Sequence, residues 1–258
     1  MQRIFVTFPL SIDVILTDKE IYHQLTRVMR IQIWESIVLF DGDGSETEYE
    51  VTAIDKKSMS LRGKNRVFSQ TEPKKKIILY QAIPNKYEKI EYILQKWVEV
   101  GISEFVFFRS DRSQKLILSP SKIERFMAIA REAVEQCGGV KIPSITFHEK
   151  NILSTMSSSL SLRRKEESIL DEVAKKEQML PTSAWQKNIT LDTIGLTRTF
   201  REFTTMNEYH LWIGPEGGWS DDEREKMSAN SFIFARFGER VLRTETAGVV
   251  TAFALLHA

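Results

Sequence analysis

Two glycine-bearing segments near the C-terminus carry the residues best suited to chemistry. The first, Gly214-Pro215-Glu216-Gly217-Gly218, follows a strand-like run at 209–213 and precedes Ser220-Asp221-Asp222-Glu223, a helix N-terminus. Adjacent glycines let backbone amides approach a ligand, and a helix dipole favours partial negative charge beside them. A plain tight turn accounts equally well for the glycines alone. The loop is neither a Walker A motif nor a Rossmann fingerprint, because the spacing differs and the lysine is missing. The second segment, 238–248 (GERVLRTETAG), follows a strand-like run at 232–237 and places Arg240, Arg243 and Glu245 in a turn. Thr244 is the expected N-cap of the last helix. A guanidinium there could neutralise an anionic substrate or stabilise developing negative charge, while a structural Arg–Glu pair is the plainer alternative.

Other charged groups have simpler explanations. Arg109-Ser110-Asp111-Arg112 follows a second strand-like run, and Arg131 and Glu135 stand four apart on a helix, the spacing of an ion pair. His23, Arg27 and Arg30 share one side of a short helix. With Arg62, Lys64, Arg66 and Lys74 to Lys76 they could form a phosphate-contacting patch, but solvated surface charge wins on spacing alone. The lone Cys137 is expected to be a buried helix residue, and four scattered histidines suggest no metal site.

The elements that must hold these groups fall into two sets. Before residue 70 the chain reads as short strands at 4–8, 37–40, 47–54 and 59–61, with Asp41-Gly42-Asp43-Gly44 as a hairpin turn. One helix interrupts them, where Thr17 to Glu20 has capping-box spacing and Ile21, Leu25 and Val28 form a stripe. A small β-barrel with one helix is the natural reading. After a polar, proline-bearing linker at 68–76 the rhythm changes to alternating strands and helices: 77–83, 86–100, 104–108 and 121–137, with Gly101 closing the first helix. That alternation predicts a mainly parallel α/β sheet, whose strand C-terminal ends are where small molecules bind. Residues 154–187 read as a surface helix or connection.

Composition sets further bounds. The chain has 258 residues, 28% charged and 42% hydrophobic, with a formal net charge of +1, so any nucleic-acid footprint must be local. A single cysteine forbids an internal disulfide and fits a reducing cytosol. The N-terminal twenty residues lack a signal-peptide core, and no apolar run is long enough to span a membrane, so a cytoplasmic protein is expected.

IGPEGG at 213–218 followed by FGERVLRTETA at 237–247 resembles the signature of the RsmE family, ribosomal RNA (uridine-N3-)-methyltransferases of the SPOUT superfamily. HQLTRVMR with LFDG, KIEYILQKWVEVGI with RSDRS, and REAVEQCGGVKIP agree with it, so the resemblance touches most of the chain outside 154–187. It implies a PUA-like RNA-binding barrel at 1–70 and an α/β SPOUT methyltransferase domain at 71–258 whose last segments thread a trefoil knot. It also implies S-adenosylmethionine as cofactor, 16S ribosomal RNA of the small subunit as partner, a homodimer, and no metal. Two departures stand out: Gly139 replaces an arginine common after the Glu-Gln pair, and Trp34-Glu35-Ser36 replaces a common Gly-Asp.

On that resemblance the cofactor falls to Ile213, Gly214, Glu216, Gly217, Phe237, Gly238, Val241 and Leu242. RNA falls to His23, Arg27, Arg30 and Arg109. Uridine N3 must lose a proton before or during attack, which suits a carboxylate acceptor and a guanidinium beside the flanking carbonyls. Arg243 is the expected stabiliser, with Glu245, Glu135 and Arg112 in support. The competing expectations are a ribose 2′-O-methyltransferase on the same scaffold, an RNA-binding assembly factor without chemistry, and a phosphate-binding nucleotide enzyme.

Overall fold

The structure is a computed structural model that describes residues 1–156, 186–197, 206–236 and 238–257. The expectation of a surface helix or connection at 154–187 lies almost wholly outside them. The chain divides into two compact units, Met1–Pro73 with Ala128–Ile142, and Lys74–Met127 with Pro143–Ala258.

The N-terminal unit holds a five-stranded sheet in the order β1-β3-β4-β5-β2. Its strands are β1 (Gln2–Phe5), β2 (Asp13–Leu16), β3 (Ser36–Phe40), β4 (Ser45–Ile54) and β5 (Met59–Phe68). β3, β4 and β5 form an antiparallel meander through the Asp-Gly turn, while β1 pairs with β3 in parallel. Strict alternation along β4 buries Ser45, Thr47, Tyr49 and Val51 on one face. β2 escaped the sequence reading because only Val14 and Leu16 of its four residues turn inward.

Helix α1 (Lys19–His23) differs from expectation at both ends. Its N-cap is Asp18, whose carboxylate accepts the amides of Glu20 and Ile21 at 3.0 Å, so Thr17 does not cap it. After His23 the chain widens into a π-helical turn, Gln24–Val28, with Met29 N donating to the Gln24 carbonyl. The wider turn breaks the apolar stripe: Leu25 is buried, but Val28 is 69% exposed. It also removes Arg30 from the helix side proposed for it, leaving that residue beyond the turn at φ +56°.

The C-terminal unit is built on a six-stranded, wholly parallel sheet in the order β11-β9-β10-β6-β7-β8. The strands are β6 (Lys76–Ala82), β7 (Glu104–Phe108), β8 (Ser144–His148), β9 (Gln186–Thr197), β10 (Glu208–Ile213) and β11 (Ile233–Arg236). Strands covered on both faces read as continuous apolar runs, and Phe105, Val106, Phe107 and Phe108 are all buried. Helix α2 (Tyr87–Val100) buries Ile90, Ile93, Leu94, Trp97 and Val98, and Gly101 ends it at φ +100°. Helix α3 (Pro120–Cys137) follows β7, and a short α4 (Leu153–Met156) follows β8. α5 (Asp221–Ala229) opens with a complete capping box between Ser220 and Glu223. α6 (Thr244–His257) is the last helix.

Three local expectations are corrected. Thr244 is the first helical residue of α6 rather than its cap. The Arg243 carbonyl accepts the amides of Thr246 and Ala247 at 2.9 and 2.8 Å, and the Thr244 hydroxyl donates to the Gly214 carbonyl at 3.5 Å. Arg131 and Glu135 form no ion pair: the Glu135 carboxylate accepts the Phe5 amide at 2.9 Å, and Arg131 lies over the Phe5 ring at 5.4 Å. Cys137 is exposed, because α3 ends there and Gly138 turns the chain at φ +83°.

Candidate cofactor and substrate site

The C-terminal unit carries a cavity of about 410 Å³ at the carboxyl ends of β10 and β11 and beside an irregularity in β9. Open parallel sheets place their ligand sites at strand C-termini because the loops there converge while the helices cover the faces. Here the convergence is held by named contacts.

The loop 214–219 is fixed from several sides. Glu216 accepts Lys89 Nζ at 2.7 Å and the Asn85 amide at 3.2 Å, tying the loop to the start of α2. Burial pushes the Glu216 carboxyl up, but the hydrogen bonds from Lys89 and backbone amides outweigh it and hold the group below the ordinary carboxylate range. Arg112 Nη1 donates to the Gly217 carbonyl at 3.0 Å. A Cβ on Gly217 would stand 3.3 Å from that of Arg112, and one on Gly214 3.1 Å from the Trp219 indole, so both approaches favour glycine. Gly218 adopts φ +68°, which side-chain-bearing residues resist.

The loop after β7 joins the same assembly. The Ser220 hydroxyl donates to Asp111 at 2.6 Å, Asn151 Nδ2 bridges Asp111 and Glu223, and the Asp111 amide donates to Glu223. The Ser220 hydrogen bond does most to hold the Asp111 carboxyl below its ordinary value, with burial opposing it.

β9 supplies a wall that the sequence reading did not anticipate. Its register against β11 jumps from Thr190↔Phe234 to Leu196↔Ala235, so residues 191–195 leave that ladder. Leu191, Asp192 and Thr193 face the cavity. The Asp192 side chain is only 2% exposed, and Arg224 from α5 closes on it with Nε–Oδ2 at 2.8 Å and Nη2–Oδ1 at 3.4 Å. Trp219 Nε1 holds the neighbouring Leu191 carbonyl at 3.1 Å.

Of the residues expected to hold a cofactor, Ile213, Gly214, Glu216, Gly217, Val241 and Leu242 line the cavity. Gly238 does not, and Phe237 lies outside the described residues. Among the expected catalytic groups Arg112 lines it, whereas Arg243 and Glu245 do not. Arg243 is exposed, and Glu245 is half-buried with Oε2 shielded from solvent and without a hydrogen-bond partner. Glu135 belongs to the N-terminal unit, where burial raises its carboxyl above the ordinary range against the pull of the Phe5 amide and Arg131.

The expected RNA contacts divide between the units. His23, Arg27 and Arg30 are exposed in the N-terminal unit, while Arg109 is half-buried in the C-terminal one and donates to the Leu116 carbonyl at 3.3 Å. Arg62, Lys64 and Arg66 are taken up by Asp13, by Glu48 and Glu50, and by Asp43. Among the described residues, no carboxylate pairs with His23, Arg27 or Arg30. The described residues contain no cluster of His, Cys, Asp and Glu that could hold a metal ion, and no helix long and apolar enough to cross a membrane.

Comparison with known proteins places this geometry. The family model of the RNA methyltransferase domain matches residues 71–256, and that of the RNA methyltransferase PUA domain matches 16–62. The Ribosomal RNA small subunit methyltransferase E of Buchnera aphidicola subsp. Acyrthosiphon pisum is 28% identical over 249 residues, 90% of this chain and 83% of that protein. The crystal structure of a Ribosomal RNA small subunit methyltransferase E from Neisseria gonorrhoeae bound to S-adenosyl methionine superposes with a TM-score of 0.80 at 22% identity, over 99% of this chain and 96% of that one. A Legionella pneumophila protein in complex with the bound cofactor SAM does so with a TM-score of 0.75 at 26% identity, again over 99% and 96%. A parallel sheet with its cavity at the strand ends, preceded by a PUA domain, therefore goes with the sequence matches, and the chain belongs to the RNA methyltransferase family, within the RsmE branch that its two glycine-bearing motifs resemble.

Proposed function

We propose that the protein is an S-adenosylmethionine-dependent methyltransferase acting on N3 of a uridine in 16S ribosomal RNA of the small ribosomal subunit. The observation that carries this reading is that the two segments resembling the RsmE signature line a single cavity. Its size suits a ligand of nucleoside dimensions, and its lining sets apolar Leu191, Ile213, Val241 and Leu242 beside the exposed backbone of the glycine loop. That combination fits a cofactor with an adenine ring at one end and an amino acid at the other. The Neisseria and Legionella structures are described as bound to S-adenosylmethionine, and the Buchnera relative as a small subunit methyltransferase, which supports the same assignment.

Bound there, the cofactor supplies an electrophilic methyl group to a nucleophile placed in line with it. The chain's own work is to hold and to neutralise. Ile213, Gly214, Glu216 and Gly217 on one side, and Val241 and Leu242 on the other, hold the cofactor; the resemblance adds Phe237 and Gly238 to this set. Arg243 stabilises negative charge spreading over the uracil carbonyls as N3 loses its proton. Arg112, Glu245 and Glu135 act in support, and Glu245 Oε2 has free acceptor capacity.

The reading extends to a PUA domain that engages RNA through His23, Arg27 and Arg30, with Arg109 contributing from the C-terminal unit. It includes a threaded trefoil in the last segments, a homodimer and a cytoplasmic location. The exposed Val250 and Phe253 on α6 give a second copy an apolar face to cover.

Small ribosomal subunits from a strain lacking the enzyme, incubated with the protein and isotopically labelled cofactor, are digested to nucleosides and analysed by mass spectrometry. Label in N3-methyluridine is expected. Label in a ribose-methylated nucleoside, or none, would overturn the assignment. Calorimetry separates a pure assembly factor, which need not bind S-adenosylmethionine.

A further inference from the structure

The short turn after the π-helical segment holds two residues in a conformation that side chains resist. Arg30 has φ +56° and Trp34 has φ +76°. Both are locked there by hydrogen bonds. Gln32 Nε2 donates to the Arg30 carbonyl at 2.8 Å, and the Gln32 amide donates to Glu35 Oε2 at 2.8 Å. The Trp34 amide donates to the Val51 carbonyl at 2.8 Å, and the Val51 amide donates to the Glu35 carbonyl at 2.9 Å. The turn is therefore anchored to β4, with Ile31 buried in the core while Gln32, Ile33, Trp34 and Glu35 stay exposed.

What it presents is unusual for this molecule. Trp34 is 74% exposed, whereas Trp97, Trp212 and Trp219 are at most 1% exposed. An indole left in water, on a backbone conformation that costs free energy, is not explained by folding. Arg30 stands four residues before it, with Arg27 on the preceding turn, and neither guanidinium meets a carboxylate among the described residues. An exposed aromatic surface a few residues along the chain from exposed guanidinium groups suits an unpaired nucleotide, whose base stacks on a ring while its phosphates meet cations.

We propose that Trp34 is a nucleobase-stacking platform, flanked by Arg27 and Arg30 as phosphate contacts, that captures an unpaired base of the RNA substrate. This rests on the reading of the protein as an RNA-modifying enzyme and adds to it a site for a base separate from the methyl-accepting one. The hydrogen-bonded turn fixes the backbone that carries the indole, so little backbone freedom is lost on binding.

The test uses the full chain and a fluorescein-labelled single-stranded oligouridylate, alongside naked small-subunit RNA and assembled subunits. Trp34→Gly is the informative variant, because glycine accepts a positive φ without strain. Its melting temperature is expected to equal or exceed that of the wild type, while affinity for the oligonucleotide falls roughly 5- to 150-fold, the range for losing one stacked base. Trp34→Phe is expected to recover most of that loss, and S-adenosylmethionine affinity is expected to stay unchanged in both. Wild-type affinity in Trp34→Gly would overturn the platform and leave the methyltransferase reading intact. A variant that binds both RNAs normally but fails on assembled subunits would assign the turn to a ribosomal protein, which also overturns it. A wild-type chain that binds S-adenosylmethionine but no RNA would sink both the platform and the RNA reading.

Discussion

Gly248 of α6 lies so close beneath Trp97 of α2 that a Cβ built on it would stand 1.5 Å from the indole Cη2. The same indole donates its Nε1 hydrogen to the Glu245 carbonyl at 3.3 Å. Trp97 thus reads both the small side and the first turn of the helix that follows the RTET segment. Gly248→Ala is expected to force the two helices apart, at about 1–3 kcal/mol or more for overpacking a filled core. A fall in melting temperature together with weaker S-adenosylmethionine binding would be the signature. A stable variant with normal affinity would show that the contact is dispensable.

The fold was largely readable where pattern and element length agreed. α2 and β7 match the sequence reading because a clear apolar face and a terminal Gly101 leave little choice. β9 was invisible because its buried positions include the polar Thr190 and Asp192, and the burial of Asp192 makes sense only once Arg224 is present. The π-helical turn after α1 was equally beyond reach, since Ile21, Leu25 and Val28 fit an ordinary helical stripe by spacing.

Arg224 and Asp192 make a further prediction. Removing one partner of a largely buried pair leaves the other charge without compensation, at about 3–5 kcal/mol when fully buried and less here because Arg224 keeps some solvent contact. Arg224→Met is expected to weaken S-adenosylmethionine binding by letting residues 191–193 drift. Adding Asp192→Asn is expected to recover part of the loss, because a neutral amide tolerates that site. Thermal unfolding and cofactor titration on both variants check this; no recovery in the double variant would contradict it.

Glu216 links the glycine loop to pH. Its folded pKa lies below the ordinary value, so its contribution is fully present above the ordinary carboxylate pKa. That contribution is lost as pH falls through the depressed folded pKa. Wild-type cofactor affinity should therefore be flat near neutrality and decline in acid as the Lys89 contact weakens. For so accessible a pair the decline should correspond to no more than about 1 kcal/mol. Glu216→Gln should lack that acid-dependent step. Calorimetric titrations over a pH series would show the two profiles, and an acid decline that persists in the variant would remove Glu216 as its source.

Glu135 has the opposite sign. Burial raises its folded pKa, so its favourable contribution is present below the ordinary carboxylate pKa and is lost as pH rises through the raised folded value. Glu135→Gln keeps an oxygen that can accept the Phe5 amide while removing the buried charge. The variant should be as stable as the wild type or more so at neutral pH, with the difference closing on acidification. Melting curves at several pH values test this, and a variant less stable at neutrality would mean that attraction to Arg131 outweighs burial.

The site was legible in its glycine loops and much less so in its charged groups. It was the resemblance carried by the two motifs that assigned 213–217 and 241–242 to one ligand, and these residues line one cavity, whereas Gly238 does not. Side-chain roles depend on where a turn points, and there Arg112 and Arg243 part company. The spacing of Arg240, Arg243 and Glu245 says nothing about which of them looks inward.

Arg243 and Arg112 therefore separate experimentally. The Arg243 side chain is exposed and does not line the cavity, while its carbonyl caps α6. Arg112 holds the Gly217 carbonyl at 3.0 Å. Arg243→Ala keeps the capping carbonyl, so cofactor affinity should be unchanged while turnover on ribosomal subunits falls by about 100- to 1,000-fold, the scale of losing one charge-stabilising donor. Arg112→Ala should instead raise the cofactor dissociation constant, because the loop loses a tether. Single-turnover rates at saturating cofactor, with separate titrations for affinity, distinguish the two. Unchanged turnover in Arg243→Ala would take that residue out of the chemistry and turn attention to the guanidinium groups that do line the cavity, Arg112 and Arg240 among them.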